Sequence, residues 1–76
     1  MEQPSVIVDG LGGPDNISIL EPCITRLRVE VRDPELVDET RLKSAGAYGV
    51  VLVGNTVQVV VGPEADRLAQ EANALL

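Results

Sequence analysis

Apolar and polar residues alternate most regularly in the segment TRLRVEVR, residues 25–32. Leu27, Val29 and Val31 share one side of this segment when it is extended, because successive side chains of a strand point to opposite faces. Three arginines and one glutamate occupy the other side. This period of two predicts a half-buried β-strand with one core face and one solvent face.

The segment just before it, residues 16–22, also predicts a strand. Its alternation places Ile17 and Ile19 on one side of the chain, with Ser18 and Leu20 on the other. We therefore expect the two isoleucines to share a face of the sheet. The chain must turn back on itself between these two strands, which predicts a hairpin bend immediately after residue 22.

A second pair of strands is predicted in the second half of the chain. Residues 49–53, GVVLV, and residues 56–61, TVQVVV, are rich in the β-branched residues that favour strands. Gly54 and Asn55 stand between them, and a glycine in the first position fits a two-residue hairpin turn. The sequence therefore predicts a second β-hairpin.

Helices are predicted after each pair of strands. Residues 38–45 form one, with Asp38 as its N-cap and Gly46 as its stop. Residues 64–75 form the other, because their apolar residues recur at helical spacing. These apolar residues are Ala65, Leu68, Ala69, Ala72 and Leu75. Residues 4–11 fit either a short helix or a strand.

The order of these elements predicts an α+β fold. Two hairpins, each followed by a helix, form a two-layer sandwich in which a four-stranded antiparallel sheet carries its helices on one face. The order is (α)ββαββα, where the first helix is the ambiguous segment. A chain of 76 residues has the length of one domain, so residues 1–76 are expected to form a single unit.

Composition narrows the range of partners. The net charge is −6 and the chain holds one aromatic residue, which argues against binding to nucleic acid. Its apolar runs are of strand length, so we expect no insertion into a membrane, and no signal peptide is visible. A cytoplasmic location is expected. Five of the six basic residues fall between residues 26 and 43, which predicts either a local cationic spot or ordinary solvated charge.

Cys23 is the one cysteine of a chain that contains no histidine. This composition excludes an internal disulfide and leaves too few nitrogen and sulfur ligands for zinc, so no metal or cofactor is expected. Arg26 and Arg28 share a face of the following strand and can lean toward a group at the bend. Two cations beside a thiol favour its thiolate form and suit an anion bound on the sulfur.

The same bend supplies further hydrogen-bond donors. Thr25 contributes a hydroxyl, and the amides of Ile24, Thr25 and Arg26 can form an anion-binding nest. Two plainer interpretations remain open. A lone cysteine such as Cys23 is often a small buried apolar residue, and arginines that alternate along a strand are often only its solvent face. The residues alone therefore leave a choice between an anion-binding thiol and a structural one.

Four segments carry a resemblance to a known family. LGGPDNI, CITRLRVEV, LKSAGAYGVV and VQVVVG, which together run from about residue 11 toward the C-terminus, resemble the enzyme IIB domain of the bacterial sugar phosphotransferase system. Ile24 after the cysteine is similar to the glucose and N-acetylglucosamine branch. Because the resemblance spans nearly the whole chain, we expect a free-standing subunit or one domain of a longer protein.

The resemblance implies a phosphoryl relay. Cys23 would accept a phosphoryl group from a phosphohistidine of enzyme IIA and pass it to the 6-hydroxyl of a sugar carried by the membrane enzyme IIC. Arg26 and Arg28 match the two arginines that the family needs around its cysteine, and Ile24 to Arg26 match its phosphate-binding loop. The sugar would be N-acetylglucosamine or glucose, and the protein would work at the inner face of the membrane.

Two residues depart from the family pattern. Pro22 replaces a small residue before the cysteine, and Tyr48 stands where a small residue is common. Tyr48 would either widen a partner contact or cover the edge of the sheet. Two other functions stay open: a redox-active thiol, although no second cysteine is present to resolve it, and a binding module that uses its arginines to dock an acidic partner.

Overall fold

The computed structural model describes residues 3–76, which form one sheet with helices on one of its faces. This arrangement confirms the predicted two-layer α+β fold and its element order. The strands are β1 (Ile17–Cys23), β2 (Arg26–Val31), β3 (Gly49–Val53) and β4 (Thr56–Val60). The helices are α1 (Gln3–Gly10), α2 (Glu39–Ser44) and α3 (Ala65–Asn73). Short 3-10 turns lie at Pro14–Asn16, Pro34–Leu36 and Gly62–Glu64.

The sheet is antiparallel throughout, and its strand order is β1-β2-β4-β3. The two hairpins therefore meet through their second strands, so β2 and β4 form the centre and β1 and β3 form the edges. The register places Cys23 opposite Arg26, Arg26 opposite Val60, and Val60 opposite Gly49. These four residues form a row at one end of the sheet, on the face away from the helices.

The core lies between this sheet and the helices. The predicted face of β2 is confirmed, because Leu27, Val29 and Val31 are all buried. Val57 and Val59 of β4, which pair with Val29 and Leu27, are completely buried as well. Helices contribute the remaining large buried side chains. These are Ile7 of α1, Leu11 just after it, Leu42 of α2 and Leu68 of α3.

The predicted face of β1 is wrong. Its pairing with β2 shifts by one residue between Ile17 and Ile19, which is the mark of a β-bulge. Ile17 and Leu20 are therefore buried together, whereas the side chain of Ile19 is 50% exposed. A one-residue shift exchanges the faces of every residue beyond it, and periodicity alone cannot reveal where the shift occurs.

The ambiguous segment at residues 4–11 is resolved as helix α1. Three consecutive residues, Val6, Ile7 and Val8, are buried because α1 contacts α2, α3 and the core on several sides. Their β-branched side chains weaken the helical preference of the segment only slightly, and packing outweighs that preference. The segment shows no clear hydrophobic period because residues on most sides of the helix are buried.

The two later helices are confirmed, with one correction. Helix α2 begins after Asp38, whose carboxylate accepts a hydrogen bond from the Arg41 amide at 3.1 Å, as an N-cap does. Gly46 follows the helix with a φ of 106°. Helix α3 ends at Asn73, and Leu75 lies beyond it, exposed. The prediction from its spacing that Leu75 belongs to the buried face is therefore wrong.

One buried polar side chain joins distant parts of the chain. Asn16 donates hydrogen bonds from its amide nitrogen to the carbonyls of Leu11, at 2.8 Å, and Asp33, at 3.0 Å. Its amide oxygen accepts a hydrogen bond from the Asp33 N–H at 2.8 Å. These bonds anchor the loop after α1 to the loop after β2, and so hold the first hairpin against the helical layer.

Candidate active site at the first hairpin

Cys23 lies at the last position of β1, next to a two-residue turn formed by Ile24 and Thr25. Its side chain is exposed. The interpretation of Cys23 as a buried apolar residue is therefore wrong. Because Cys23 and Arg26 are cross-strand partners, their side chains share the open face of the sheet. The thiol thus stands at the rim of the molecule, where a partner protein can reach it.

The turn is held in place through the carbonyl oxygen of Thr25. This oxygen accepts hydrogen bonds from the amides of Val61, at 3.0 Å, and Gly62, at 2.9 Å. Both donors belong to the segment that leaves β4, so the second hairpin fixes the tip of the first. A turn that is fixed from outside its own hairpin keeps its remaining polar groups in a constant position.

Several of those remaining groups are free. Within residues 3–76, the amides of Ile24 and Thr25 donate no hydrogen bond, and neither does the Thr25 hydroxyl. All three lie beside the thiol at the tip of the turn. Adjacent unpaired N–H groups form a concave surface of partial positive charge, which suits the oxygens of an anion. The geometry is compatible with the predicted phosphate-binding loop.

Ile24 has an unusual backbone. Its φ is 60°, and it is the one non-glycine residue with a positive φ in the described part of the chain. The side chain is 89% exposed, so packing does not compensate for this conformation. A β-branched residue in this region of φ is a strained outlier. The turn is of type II′, because Thr25 has no positive φ, and that type normally takes glycine at this position.

The guanidinium of Arg26 contacts a neutral partner. Its Nη1 donates a hydrogen bond to the side-chain oxygen of Gln58, on the neighbouring strand β4, at 2.8 Å. No carboxylate of residues 3–76 lies within ion-pair distance of Arg26. Gln58 therefore orients the guanidinium without neutralising it, and its other N–H groups stay available for an anion opposite Cys23.

Arg28 is in a different situation. Its guanidinium bonds to Glu21 of β1 at 3.2 Å and to Glu30 of β2 at 2.9 Å. The hydroxyl of Thr56 donates to the same Glu30 carboxylate oxygen at 2.9 Å and holds it in place. Arg28 is thus surrounded by two negative charges, one row farther from the hairpin tip than Arg26. The two arginines share a face, as predicted, but they are not equivalent.

The predicted cationic spot does not extend beyond the hairpin. Arg41 pairs with Asp9 at 3.4 Å, and Lys43 pairs with Glu39 at 3.0 Å. Arg32 donates from Nε to the backbone carbonyl of Asp15 at 2.9 Å. Clustering in sequence therefore does not become a cationic surface, because the carboxylates of Asp9 and Glu39 neutralise Arg41 and Lys43.

Two further residues of the segment are explained by their positions. Pro22 pairs with Leu27 on the edge strand β1, next to the pair that flanks the turn. The Pro22–Leu27 pair is of the non-hydrogen-bonded kind, so the N–H that proline lacks would have pointed away from the sheet. Tyr48 is exposed, and its ring lies over Gly62, since a Cβ placed there would be 3.3 Å from the ring. This contact favours the interpretation of Tyr48 as a cover for the end of the sheet.

Gln58, Glu21 and Glu30 are the site neighbours that sequence reasoning missed. Each lies on the open face of its strand, so the period of two could have marked them as candidates, but only the strand order brings them to the arginines. Among residues 3–76, no cluster of three or more cysteine or acidic residues could hold a metal ion. No helix in the same part of the chain is long and apolar enough to cross a bilayer.

Comparisons with known proteins agree with this arrangement. A profile of the family described as phosphotransferase system, EIIB matches residues 5–38, which include the hairpin. The N-acetylglucosamine-specific EIIB component of Streptomyces coelicolor is 57% identical over 70 residues, covering 92% of this chain and 91% of that protein. The glucoside-specific EIICBA component of Staphylococcus carnosus is 45% identical over 75 residues, 99% of this chain, which spans 11% of that protein's length.

A third curated relative and one solved structure extend the agreement. The glucose-specific EIICBA component of Staphylococcus carnosus is 44% identical over 75 residues, and this chain spans 11% of its length. The crystal structure of one domain of the PTS system IIabc component of Clostridium difficile superposes with a TM-score of 0.75 at 25% identity, covering 95% of this chain and 73% of that one. The similarity in sequence extends along nearly the whole chain, and the fold is shared as well. The chain therefore belongs to the enzyme IIB family of the phosphotransferase system, in its glucose and N-acetylglucosamine branch.

Proposed function

We propose that Cys23 carries a phosphoryl group between two partner proteins. In the first step the thiolate sulfur attacks the phosphorus of a phosphohistidine on enzyme IIA, the S–P bond forms, and the N–P bond breaks. In the second step the 6-hydroxyl oxygen of a sugar attacks the same phosphorus, and the thiolate leaves. The observation that carries the proposal is the exposed thiol beside free donors at a fixed turn.

The chain supplies binding and charge to this relay. The free amides of Ile24 and Thr25 and the Thr25 hydroxyl bind the phosphoryl oxygens, and the guanidinium of Arg26 neutralises their charge. Arg28, held between two carboxylates, keeps Glu21 and Glu30 from repelling the incoming dianion. Phosphoryl transfer through a loose transition state depends mainly on such positioning and electrostatic stabilisation.

General acid–base chemistry falls to the partners. The chain has no histidine, so the phosphohistidine comes from enzyme IIA and the proton of the sugar hydroxyl passes to a base outside this chain. Enzyme IIC presents the sugar at the inner face of the membrane, where this domain would meet it from the cytoplasm. The chain's likeness to a protein named as N-acetylglucosamine-specific makes that sugar the first to test, and glucose the second.

The test is to incubate the protein with phosphorylated enzyme IIA and to measure its intact mass. We expect the gain of one phosphoryl group, its loss on addition of N-acetylglucosamine and membranes that contain enzyme IIC, and no gain in a Cys23→Ala variant. The variant should fold normally because the side chain is exposed at a turn. Phosphorylation of Cys23→Ala would refute the assignment of this residue. An adduct of glutathione or a sulfenic acid, without phosphate, would favour the redox function.

A further inference from the structure

Strand β3 forms one edge of the sheet, and this edge carries no charge. The chain from Ser44 to Pro63 contains no acidic or basic residue. Within β3, Val51, Leu52 and Val53 are all exposed, Val53 to 71%. An exposed apolar edge strand presents unpaired N–H and C=O groups, and it is therefore a template for pairing with another strand.

The opposite edge of the same sheet is protected in three ways. Strand β1 carries the charge of Glu21, a proline at Pro22, and the bulge near Ser18. Charge, proline and bulges are the devices by which proteins prevent edge-to-edge pairing. Strand β3 has none of them, and its register with β4 runs without a shift from Gly49 to Val53. The contrast within one sheet indicates that the β3 edge is free for pairing.

The hydrogen-bonding groups on this edge can be identified from the hairpin. Val53 and Thr56 flank a two-residue turn, so they form a hydrogen-bonded pair, and such pairs alternate along an antiparallel ladder. The N–H and C=O groups of Val51 therefore point to β4, whereas those of Val50 and Leu52 point outward. The free edge thus offers two donors and two acceptors, spaced on either side of Val51.

We propose that β3 pairs with β3 of a second copy of this chain, antiparallel and centred on Val51. In this register Val50 of each copy faces Leu52 of the other, so that four backbone hydrogen bonds form. Val51 faces Val51, and Gly49 faces Val53. Residues of the open face meet residues of the open face, which is required for one continuous sheet with both helical layers on the same side.

A second copy fits this edge better than a charged partner does. The edge has no charge with which to select a basic or acidic protein, but its pattern of donors, acceptors and apolar side chains complements itself about Val51. The two bodies repel each other, since each carries a net charge of −6. Pairing should therefore become tighter as salt screens that repulsion, which is the opposite of an interface built on ion pairs.

The dimer leaves the candidate active site accessible. Cys23 lies on β1, the edge farthest from β3. The first hairpins of the two copies therefore stand at opposite edges of an eight-stranded sheet. Phosphoryl transfer by each copy would be unaffected. A contact limited to two five-residue strands is smaller than a standard protein interface, and we expect a weak, concentration-dependent dimer.

Sedimentation equilibrium of the whole chain, at concentrations from about 10 μM to 1 mM, tests the proposal. We expect a monomer–dimer equilibrium that tightens with salt. Val51→Lys should raise the dissociation constant by about tenfold or more, because two like charges would meet at the centre. Ile19→Lys is the matched control, since it adds the same charge at an exposed apolar position of the other edge, and it should leave the equilibrium unchanged.

Cross-linking tests the register independently. In a Cys23→Ala background, Val51→Cys should form a disulfide-linked dimer on oxidation, because Cα atoms of facing non-hydrogen-bonded residues are about 4.5 Å apart. Val53→Cys should not, since two copies of residue 53 would lie about 13 Å apart along the strands. A chain that stays monomeric throughout, or equal cross-linking of both cysteine variants, would overturn the proposal. The first outcome would leave the edge to a strand of another protein.

Discussion

Arg26 and Arg28 are two residues apart on one strand face, yet their surroundings differ. Arg26 is held by the neutral Gln58 and keeps its charge available, whereas Arg28 is bound by Glu21 and Glu30. Both contacts are at the surface, so each contributes little to stability and more to the direction in which the guanidinium points. One arginine is thus a group that can bind phosphate, and the other balances charge beside it.

We expect the arginines to affect the second half-reaction more than the first. Arg26→Lys keeps the charge but loses the planar fork, so the protein should accept phosphate from enzyme IIA and lose most of its transfer to sugar. Arg26→Gln should lower that transfer further, by about 100-fold, as is typical when a donor to a developing charge is removed. Single-turnover phosphorylation followed by a chase with sugar and enzyme IIC membranes measures both steps.

Arg28 variants provide the comparison. Arg28→Lys should also slow the transfer to sugar, because one ammonium cannot contact Glu21 and Glu30 in the same fork geometry. Arg28→Gln leaves both carboxylates without a cation, and an additional Glu21→Gln change should restore part of the lost rate. Transfer at the wild-type rate in both lysine variants would show that guanidinium geometry is unimportant here.

The two hairpins differ in the backbone strain of their turns. Each has a two-residue turn whose first residue has a φ of 60°, but that residue is Ile24 in one hairpin and Gly54 in the other. Gly54 takes this conformation without strain, and a Cβ added to it would meet no atom within 4 Å. The strain is thus confined to the hairpin beside the thiol, and functional sites are where strained residues are common.

A reciprocal exchange measures this strain. Ile24→Gly should raise the free energy of unfolding by about 1 kcal/mol. The substitution relieves a backbone strain of about 1–2 kcal/mol, and this gain exceeds the stability lost through the extra conformational entropy of glycine in the unfolded chain. Gly54→Ile should lower the free energy of unfolding by about 1 kcal/mol for the same reason. Urea unfolding monitored by circular dichroism is the measurement. A destabilised Ile24→Gly protein would mean that the isoleucine makes a stabilising contact of its own.

For the molecule as a whole, stability depends on a small aliphatic core. The chain has no phenylalanine or tryptophan, and its 76 residues predict a total free energy of unfolding of about 4–11 kcal/mol. Leu27 lies in the central strand β2 and is completely buried. The loss of one such side chain therefore removes a large share of the stability of the whole domain.

Leu27→Ala should lower the free energy of unfolding by about 3–5 kcal/mol, through lost burial and the cavity left behind. Leu36→Ala is the control, since that leucine is exposed and its removal should cost less than about 0.5 kcal/mol. Thermal and urea unfolding of both variants check the difference. Equal losses in the two proteins would contradict the assignment of the core.

Features that depend on neighbours along the chain could be predicted from the amino-acid sequence. Side chains of a strand alternate by local geometry, so the buried face of β2 and the two arginines on its open face follow directly from the spacing. The Asp38 cap and the Gly54 turn are equally local, since each needs a particular residue type at one position. Cys23 and Thr25 are marked as candidates for the same reason.

Features that depend on distant partners emerged only when the chain was folded. The bulge in β1 shifts Ile19 to the open face because the pairing with β2 requires it, and residues 4–11 form helix α1 because α2 and α3 pack against them. Gln58 meets Arg26 across 32 residues of sequence. Strand order and register set such contacts, and they follow from the packing of the whole sheet against its helices, which no short segment encodes.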